Sequence, residues 1–292
     1  MSILCREGTD LCQIDPNMEI LTHLAPPLLA HFRRVARPDH AISTATDWRD
    51  VTVQIRRRVL DTIVLDPMAD GTMRTDEIVS IGRRFPAQSI VLYLVLSPPG
   101  LQSVVELARQ GVSQVVLHRF DDDLQSFRAL LGLQRGSGLA DRLLEELKDN
   151  LDVLATPLSM AVRELIQRPH RFASAQDLAR EAGVPRRSMY RDMEAAGFSS
   201  PRNLVGASRL LRAFLHLKEP GYSVADVSEK LAYSAPRALL RQSQELTGLM
   251  PSELRDAVSD EEFLERLLFA IREGKRLPPP ETARRRRVHR MR

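Results

Sequence analysis

Four arginines carry the most specific chemistry in this chain. Arg187 and Arg191 stand four residues apart, and Arg237 and Arg241 repeat that spacing fifty residues further on. Residues four apart on a helix share a face. A guanidinium presents a planar fork of donors that fits the major-groove edge of guanine or a phosphate. Arg186, Ser188 and Tyr190 lie beside the first pair and Ser234 just ahead of the second, so two short segments carry donors suited to a polyanion. The two cysteines, Cys5 and Cys12, have neither the spacing of a zinc knuckle nor that of a CxxC redox pair, and read as ordinary thiols.

Helical elements must hold these arginines. In residues 222–255, Ser223 followed by Asp226 predicts an N-cap with an acid in the first turn, opening a short helix through Leu231. Tyr233, Ser234, Ala235 and Pro236 form a corner in which Ser234 or Ala235 caps and proline takes the first helical turn. Arg237 and Arg241 ride on the helix that follows, Gly248 ends it, and Pro251 prevents its continuation. The same pattern occurs upstream: Ser174 caps with Asp177, a helix runs to Ala182, Gly183 turns the chain, and a second helix spans 185–196. The caps are 49 residues apart. Between the modules, residues 203–217 place Leu204, Ala207, Leu210, Leu211, Phe214 and Leu217 on one stripe. That predicts a connector helix of ~22 Å, able to hold two recognition helices for successive major grooves ~34 Å apart. Met189, Met193, Leu239 and Leu246 are expected in the core.

This segment resembles the AraC/XylS family of transcription regulators. AYSAPRALLR followed by TGLMPSELR matches the end of that family's segment in register, and AGVPRRSMYR resembles its first module. The resemblance implies DNA contacts by Arg186, Arg187, Ser188, Tyr190 and Arg191 in the first module, with Arg187 or Arg191 facing the groove. Ser234, Arg237 and Arg241 take corresponding places in the second. Ala232 stands where the family has glycine, Ala238 and Leu239 where it has an aromatic pair, and Ser243 and Thr247 where it has core aromatics, so the second module is the less typical.

The N-terminal half alternates short apolar runs with helical patterns between about Leu28 and Leu131, the rhythm of βαβ units around a parallel sheet. Strands are expected at 62–65, 90–96 and 115–117, and helices at 76–84 and 101–110, with Gly111 a stop. The order of these pieces and the phrase LDTIVLDPMADG resemble the receiver domain of bacterial response regulators. That family implies a phosphoacceptor at Asp66, an acidic pair after the first strand for Mg²⁺, and a lysine after the fifth. The segment LLAHFRRVARP, the candidate place for that acidic pair, offers Arg33, Arg34 and Arg37, which cannot ligate a cation. His118, Arg119 and Phe120 occupy the lysine's place, and Ser97 can stand in for the usual hydroxyl. A pseudo-receiver is therefore expected, one that dimerises or binds a small effector or a protein.

Composition agrees with a globular chain: 43% of 292 residues are apolar, and no run reaches the ~18 apolar residues of a membrane span. Glu7, Asp10, Asp15 and Glu19 interrupt any signal-peptide pattern, making the cytoplasm the expected location; that the cell is bacterial is what the two resemblances imply. The net charge of +4 divides into −3 over residues 1–150 and +7 over 151–292, favouring a polyanion for the helical half. The expected fold is a flavodoxin-like α/β domain (1–133), a linker and dimerisation helix (134–156), an all-α double helix-turn-helix domain (157–256), and a C-terminal helix with a basic tail (257–292). Leu144, Leu147, Leu151 and Leu154 suggest either a coiled-coil seam for a homodimer or packing within the chain.

The expected function is promoter-DNA binding by a transcription regulator. The alternatives are a response regulator switched at Asp66 and a protein-binding adaptor. No nucleophile with its base and no phosphate loop is present, so no enzyme and no cofactor is expected.

Overall fold

A computed structural model describes residues 18–36, 40–112, 114–120 and 138–278; Cys5, Cys12, residues 134–137 of the expected linker and the tail from residue 279 lie outside the described residues. The chain divides into two compact units. One comprises residues 1–54, 60–82 and 88–134, and the other 55–59, 83–87 and 135–292.

The first unit is a five-stranded parallel sheet. Its strands are β1 (Glu19–His23), β2 (Ala41–Thr44), β3 (Thr62–Leu65), β4 (Ile90–Val95) and β5 (Gln114–His118), paired in the order β2-β1-β3-β4-β5. Leu21 is paired with Ser43 on one side and Ile63 on the other, and Leu92 with Leu65 and Val115. Helices α1 (Pro26–Val35), α2 (Trp48–Arg57), α3 (Thr75–Arg84) and α4 (Pro98–Arg109) supply the crossovers. This strand order is the flavodoxin-like doubly wound arrangement, whose chain reverses its direction of winding between β1 and β3. β3 and β4 are continuous apolar runs because both faces are covered: all of β3 is buried, as are Ile90 through Leu94. Ile20, Phe32, Val64, Val91, Tyr93 and Val116 form the core.

One expectation about this unit is corrected. Residues 28–36 do not follow directly on the first strand, where the acidic pair would belong; they fall largely in α1, the sheet begins earlier, at Glu19, and Arg37 lies outside the described residues. Pro26 and Pro27 pre-set the first helical turn, and Leu28 and Phe32, four apart, turn one face inward. The helical spacing was present in LLAHFRRVARP, but its apolar start reads equally as a short strand.

The second unit is all helix among its described residues. Helices α5 (Gly138–Glu146), α6 (Lys148–Val153) and α7 (Thr156–Gln167) lead through a 3₁₀ turn (Pro169–Arg171) into α8 (Ala175–Glu181) and α9 (Arg186–Ala195). The long α10 (Pro201–Lys218) follows, then α11 (Val224–Lys230), α12 (Pro236–Thr247), α13 (Pro251–Ala257) and α14 (Asp260–Glu273). α10 is the spine: all six residues of its predicted stripe are buried, and Phe214 stacks on Phe263 of α14 at 3.9 Å between ring centroids. Ser200 caps it and Pro201 starts it, adding a half turn to the expected 203–217.

The leucine stripe at 144–154 is used within the chain. Leu147, Leu151 and Leu154 are buried together with Leu143, Leu144 is half-buried, and α5 packs on α7 and α14. The helix also breaks at Leu147, where α6 begins. No continuous a/d seam is left for a coiled coil, because the residues that would form it already fill this unit's core.

Candidate nucleic-acid interface

Two copies of one local construction position the arginines. Ser174 Oγ accepts the N–H of Gln176 at 3.2 Å, while Asp177 accepts the backbone N–H of Ser174 at 2.9 Å. In the second copy Ser223 Oγ accepts the N–H of Asp226 at 3.1 Å, and Asp226 accepts the N–H of Ser223 at 2.8 Å. Each reciprocal pair satisfies otherwise orphaned donors, fixing where α8 and α11 begin. The turns repeat as well. Gly183 N–H donates to Arg180 O and Val184 N–H to Ala179 O; 49 residues later Ala232 N–H donates to Glu229 O and Tyr233 N–H to Ser228 O. Both turn residues lie in the left-handed region, Gly183 at φ 63° and Ala232 at φ 53°.

Beyond the turn the offset grows to fifty, so the second module has one more residue before its second helix. Met189 and Met193 on α9 are buried, as are Leu239 and Ser243 on α12. That leaves Arg187 and Arg191, and Arg237 and Arg241, exposed on the opposite faces of their helices. Arg191 is held loosely by its neighbour Asp192, at 3.1 and 3.2 Å, and Arg241 by Glu245 at 3.6 Å. Such exposed pairs contribute little to stability and exchange readily for another anion. Arg186 is also exposed, with its guanidinium 5.5 Å from the ring of half-buried Tyr190, and Ser188 is half-buried beside them. Ser234 is exposed in the corner; Ala235 is the N-cap residue and Pro236 the first residue of α12.

Between α10 and α12 lies a polar cleft of about 380 Å³ that reasoning from sequence missed. Arg202 and Arg209 of α10 line it together with Arg241 and Glu245 of α12. Arg209 donates to Leu231 O at 2.8 Å and Ala232 O at 3.2 Å, and its guanidinium lies 4.4 Å from the ring of Tyr233. The side chain thus braces the second turn through its carbonyl oxygens. Its position on α10, off the apolar stripe, was the available signal. His170, also in the lining, is driven down to about 4 by burial and by Arg212, Arg168 and Arg171, so near neutral pH the cleft's positive charge comes from its arginines.

Asp66, the other predicted site residue, follows the last residue of β3. It is 4% exposed, and its carboxylate accepts the Met68 N–H at 2.9 Å. Burial raises its pKa above the ordinary carboxylate value. The place of the acidic pair, after β1, is held by His23 and Leu24. Among the described residues no group of three acids, histidines or cysteines could hold a metal. A hard divalent cation requires several oxygen ligands, so the residues here do not fit the Mg²⁺ that a receiver uses.

Comparison with known proteins places the C-terminal modules. Residues 178–257 match the family described as "Helix-turn-helix domain". They are an AraC-type helix-turn-helix domain. The match begins within α8 and ends with α13, so it contains α9, α10, α11 and α12 whole. No curated protein matches the chain. Among solved structures it is similar to NtrX from Brucella abortus in complex with ADP, at 17% identity and a TM-score of 0.36, covering 57% of this chain and 40% of that one. It is also similar to full-length FixJ from B. japonicum, at 12% identity and a TM-score of 0.35, covering 78% of this chain and 96% of that one. The chain therefore spans less than half the length of the NtrX chain.

The AraC-type domain also holds a buried polar cluster at its second module. Lys230, the last residue of α11, donates to Ile55 O and Arg58 O, each at 2.6 Å, and to Tyr222 Oη at 2.9 Å. Burial drives the ammonium down to about 7, with Arg212 adding to the effect. Glu219 shares a 3.0 Å contact with His216 Nδ1, and burial pushes its carboxyl up to about 7. These groups anchor the module and leave its arginine face outside the cluster.

Proposed function

We propose that the chain is a sequence-specific transcription regulator that places α9 and α12 in successive major grooves of promoter DNA. The observation that carries this reading is the repeat itself. Two capped helix–turn–helix units, alike in their turn hydrogen bonds, are packed on one 18-residue helix, and each presents an arginine pair to solvent. A rigid connector ~27 Å long fixes the spacing of two recognition helices, which is what reading two patches about one helical turn apart requires. In this reading Arg187, Arg191, Arg237 and Arg241 contact base edges or phosphates, with Arg186, Ser188, Tyr190 and Ser234 flanking them. Arg202, exposed at the cleft, favours the backbone between the grooves. The N-terminal unit regulates the domain, by binding a small effector or a protein or by forming a homodimer.

The test is selection of bound sequences from a randomised duplex pool at physiological salt, using the full chain. Enrichment of a site with two patches about one helical turn apart supports two-groove reading. A tandem or inverted repeat of that site adds a dimer. If nothing enriches and the remaining binding disappears as salt is raised, the basic surface attracts DNA without reading it, and a protein-binding adaptor replaces the regulator.

A further inference from the structure

The first unit contains a cavity of about 310 Å³ at the C-terminal ends of its strands. Asp66 after β3, Ser97 after β4 and His118 at the end of β5 reach its lining from three strands, while Leu28, Met68 and Val95 give it an apolar wall. In a doubly wound sheet this end, next to the reversal between β1 and β3, is where ligands bind. The volume falls at the lower end of the range for small-molecule sites.

We propose that this cavity binds a small organic amine, an apolar body carrying one ammonium group that pairs with Asp66. Among the described residues, the lining contains one carboxylate and no lysine or arginine. An anionic ligand would meet that carboxylate without a full positive charge to offset it. A divalent cation would find a single acid among the described lining residues, and His23 and Leu24 stand where further ligands would belong. An organic ammonium needs only one carboxylate and leaves its apolar body against the leucine, methionine and valine wall.

The neighbouring groups are arranged to keep this geometry. The Asp66 carboxylate is oriented by backbone hydrogen bonds from Met68, at 2.9 Å, and Ala25, and its two oxygens have acceptor positions beyond these two. Its pKa is raised by burial, the penalty that an incoming ammonium would offset. Tyr93 Oη and His118 Nδ1 share a 2.8 Å hydrogen bond that fixes the imidazole. Ser97 Oγ accepts the Gly100 N–H at 3.2 Å. At Gly100 a Cβ would come within 2.8 Å of Val95 O and 2.9 Å of a Leu94 methyl, so only glycine lets the first turn of α4 lie this close to the end of β4.

The proposal deepens the effector-binding role suggested for this unit, but it is tested without DNA, so failure of either reading is seen separately. Three probes share one apolar body and differ in the head group: 2-phenylethylamine, 2-phenylethanol and phenylacetate. Each is titrated calorimetrically into the full chain. The amine is expected to bind about tenfold more tightly than the alcohol, and phenylacetate is expected to show no saturable binding. Asp66→Asn, nearly isosteric, should reduce the amine to the affinity of the alcohol. Val95→Trp, at a residue 52% exposed on the cavity wall, should weaken amine and alcohol alike without disturbing the core.

The proposal is overturned if phenylacetate binds as well as the amine, if the amine keeps its advantage in Asp66→Asn, or if no probe binds. It is also overturned if acetyl phosphate with Mg²⁺ phosphorylates the chain and Asp66→Asn abolishes that label, because the cavity would then be a phosphoryl-transfer site.

Discussion

The two helix–turn–helix modules share a frame but are secured by different forces. The first closes over Met189 and Met193, turns at a glycine, and ends α8 on exposed Glu181. The second has Ser243 where the first has Met193, turns at an alanine, and ends α11 on buried Lys230. Its interior is kept together by polar contacts: Ser243 Oγ donates to Leu249 O at 2.7 Å, and Thr247 Oγ1 donates to Ser243 O at 2.7 Å. The difference shows that a polar residue can replace an apolar one in this frame when each donor it buries finds an acceptor nearby.

The sharpest way to break the comparison is to truncate the corresponding side chains. Met193→Ala should cost about 2–5 kcal/mol, since it removes buried volume and leaves a cavity. Ser243→Ala should cost about 1–3 kcal/mol, from the loss of the hydroxyl donor to Leu249 O. Urea unfolding followed by circular dichroism would measure both. Equal losses would mean that the modules are held in the same way.

The buried charges predict a second, pH-dependent difference. Glu219 has a folded pKa of about 7, above the ordinary 4.5. Its contribution to stability is therefore fully present below about pH 4.5 and is lost as pH rises through 7. Lys230, lowered to about 7 from 10.5, acts in the other direction and only above that window. Glu219→Gln should remove this part of the slope between pH 4.5 and 7, at most about 3 kcal/mol, and leave the opposite contribution of His170, whose pKa is lowered to about 4. Thermal melts of both proteins across that range provide the test, and parallel curves would show that Glu219 ionises normally.

Recognition gives a smaller effect. Arg191→Ala should weaken binding to a selected site by about 1–3 kcal/mol if the guanidinium reads a base, and relax preference at that position alone. A uniform loss across all sequences would assign it to phosphate. Arg241, with Glu245 competing for it at 3.6 Å, should lose less on the same substitution. Fluorescence anisotropy with matched and single-mismatch duplexes separates these outcomes.

How much of this was legible in the chain depended on whether a residue acted locally. The caps at Ser174 and Ser223, the stop at Gly248 and the stripe on α10 follow from spacing within a few residues, and they form where that spacing puts them. β1 was missed because Thr22 and His23 interrupt its apolar residues Ile20, Leu21 and Leu24, and the proline pair after it was not read as a helix start. β2 and α2 were not distinguished from the pattern around them, since β2 has no fully buried residue. The position of Arg209 off the stripe of α10 was legible, but its contacts with Leu231 and Ala232, and those of Lys230 with Ile55 and Arg58, join residues distant in sequence. The departures at Ala232, Ser243 and Thr247 were visible as departures, but their compensation was not. It lies in hydrogen bonds to Leu249 and in Arg209, which braces the turn from another helix.

That brace leads to the smallest effect and the most direct comparison. An L-residue in the left-handed region costs roughly 1–2 kcal/mol, a penalty that glycine escapes. Gly183 and Ala232 have the same turn hydrogen bonds at φ 63° and 53°, so only the second module bears that cost. Ala232→Gly relieves the backbone but adds freedom to the unfolded chain, leaving a net gain of about 0.5–1 kcal/mol. Gly183→Ala should lose about 1 kcal/mol, with no Arg209-like contact among the described residues to steady the turn. A Cβ at Gly183 meets nothing within 4 Å, so that loss would come from backbone conformation and not from a clash. Chemical denaturation of the two variants measures a gain and a loss at matched positions. If Ala232→Gly gives no gain, the turn has already relaxed around alanine. The second module would then be a settled variant of the frame, and any weakness in its hold on DNA would have to come from its arginine face.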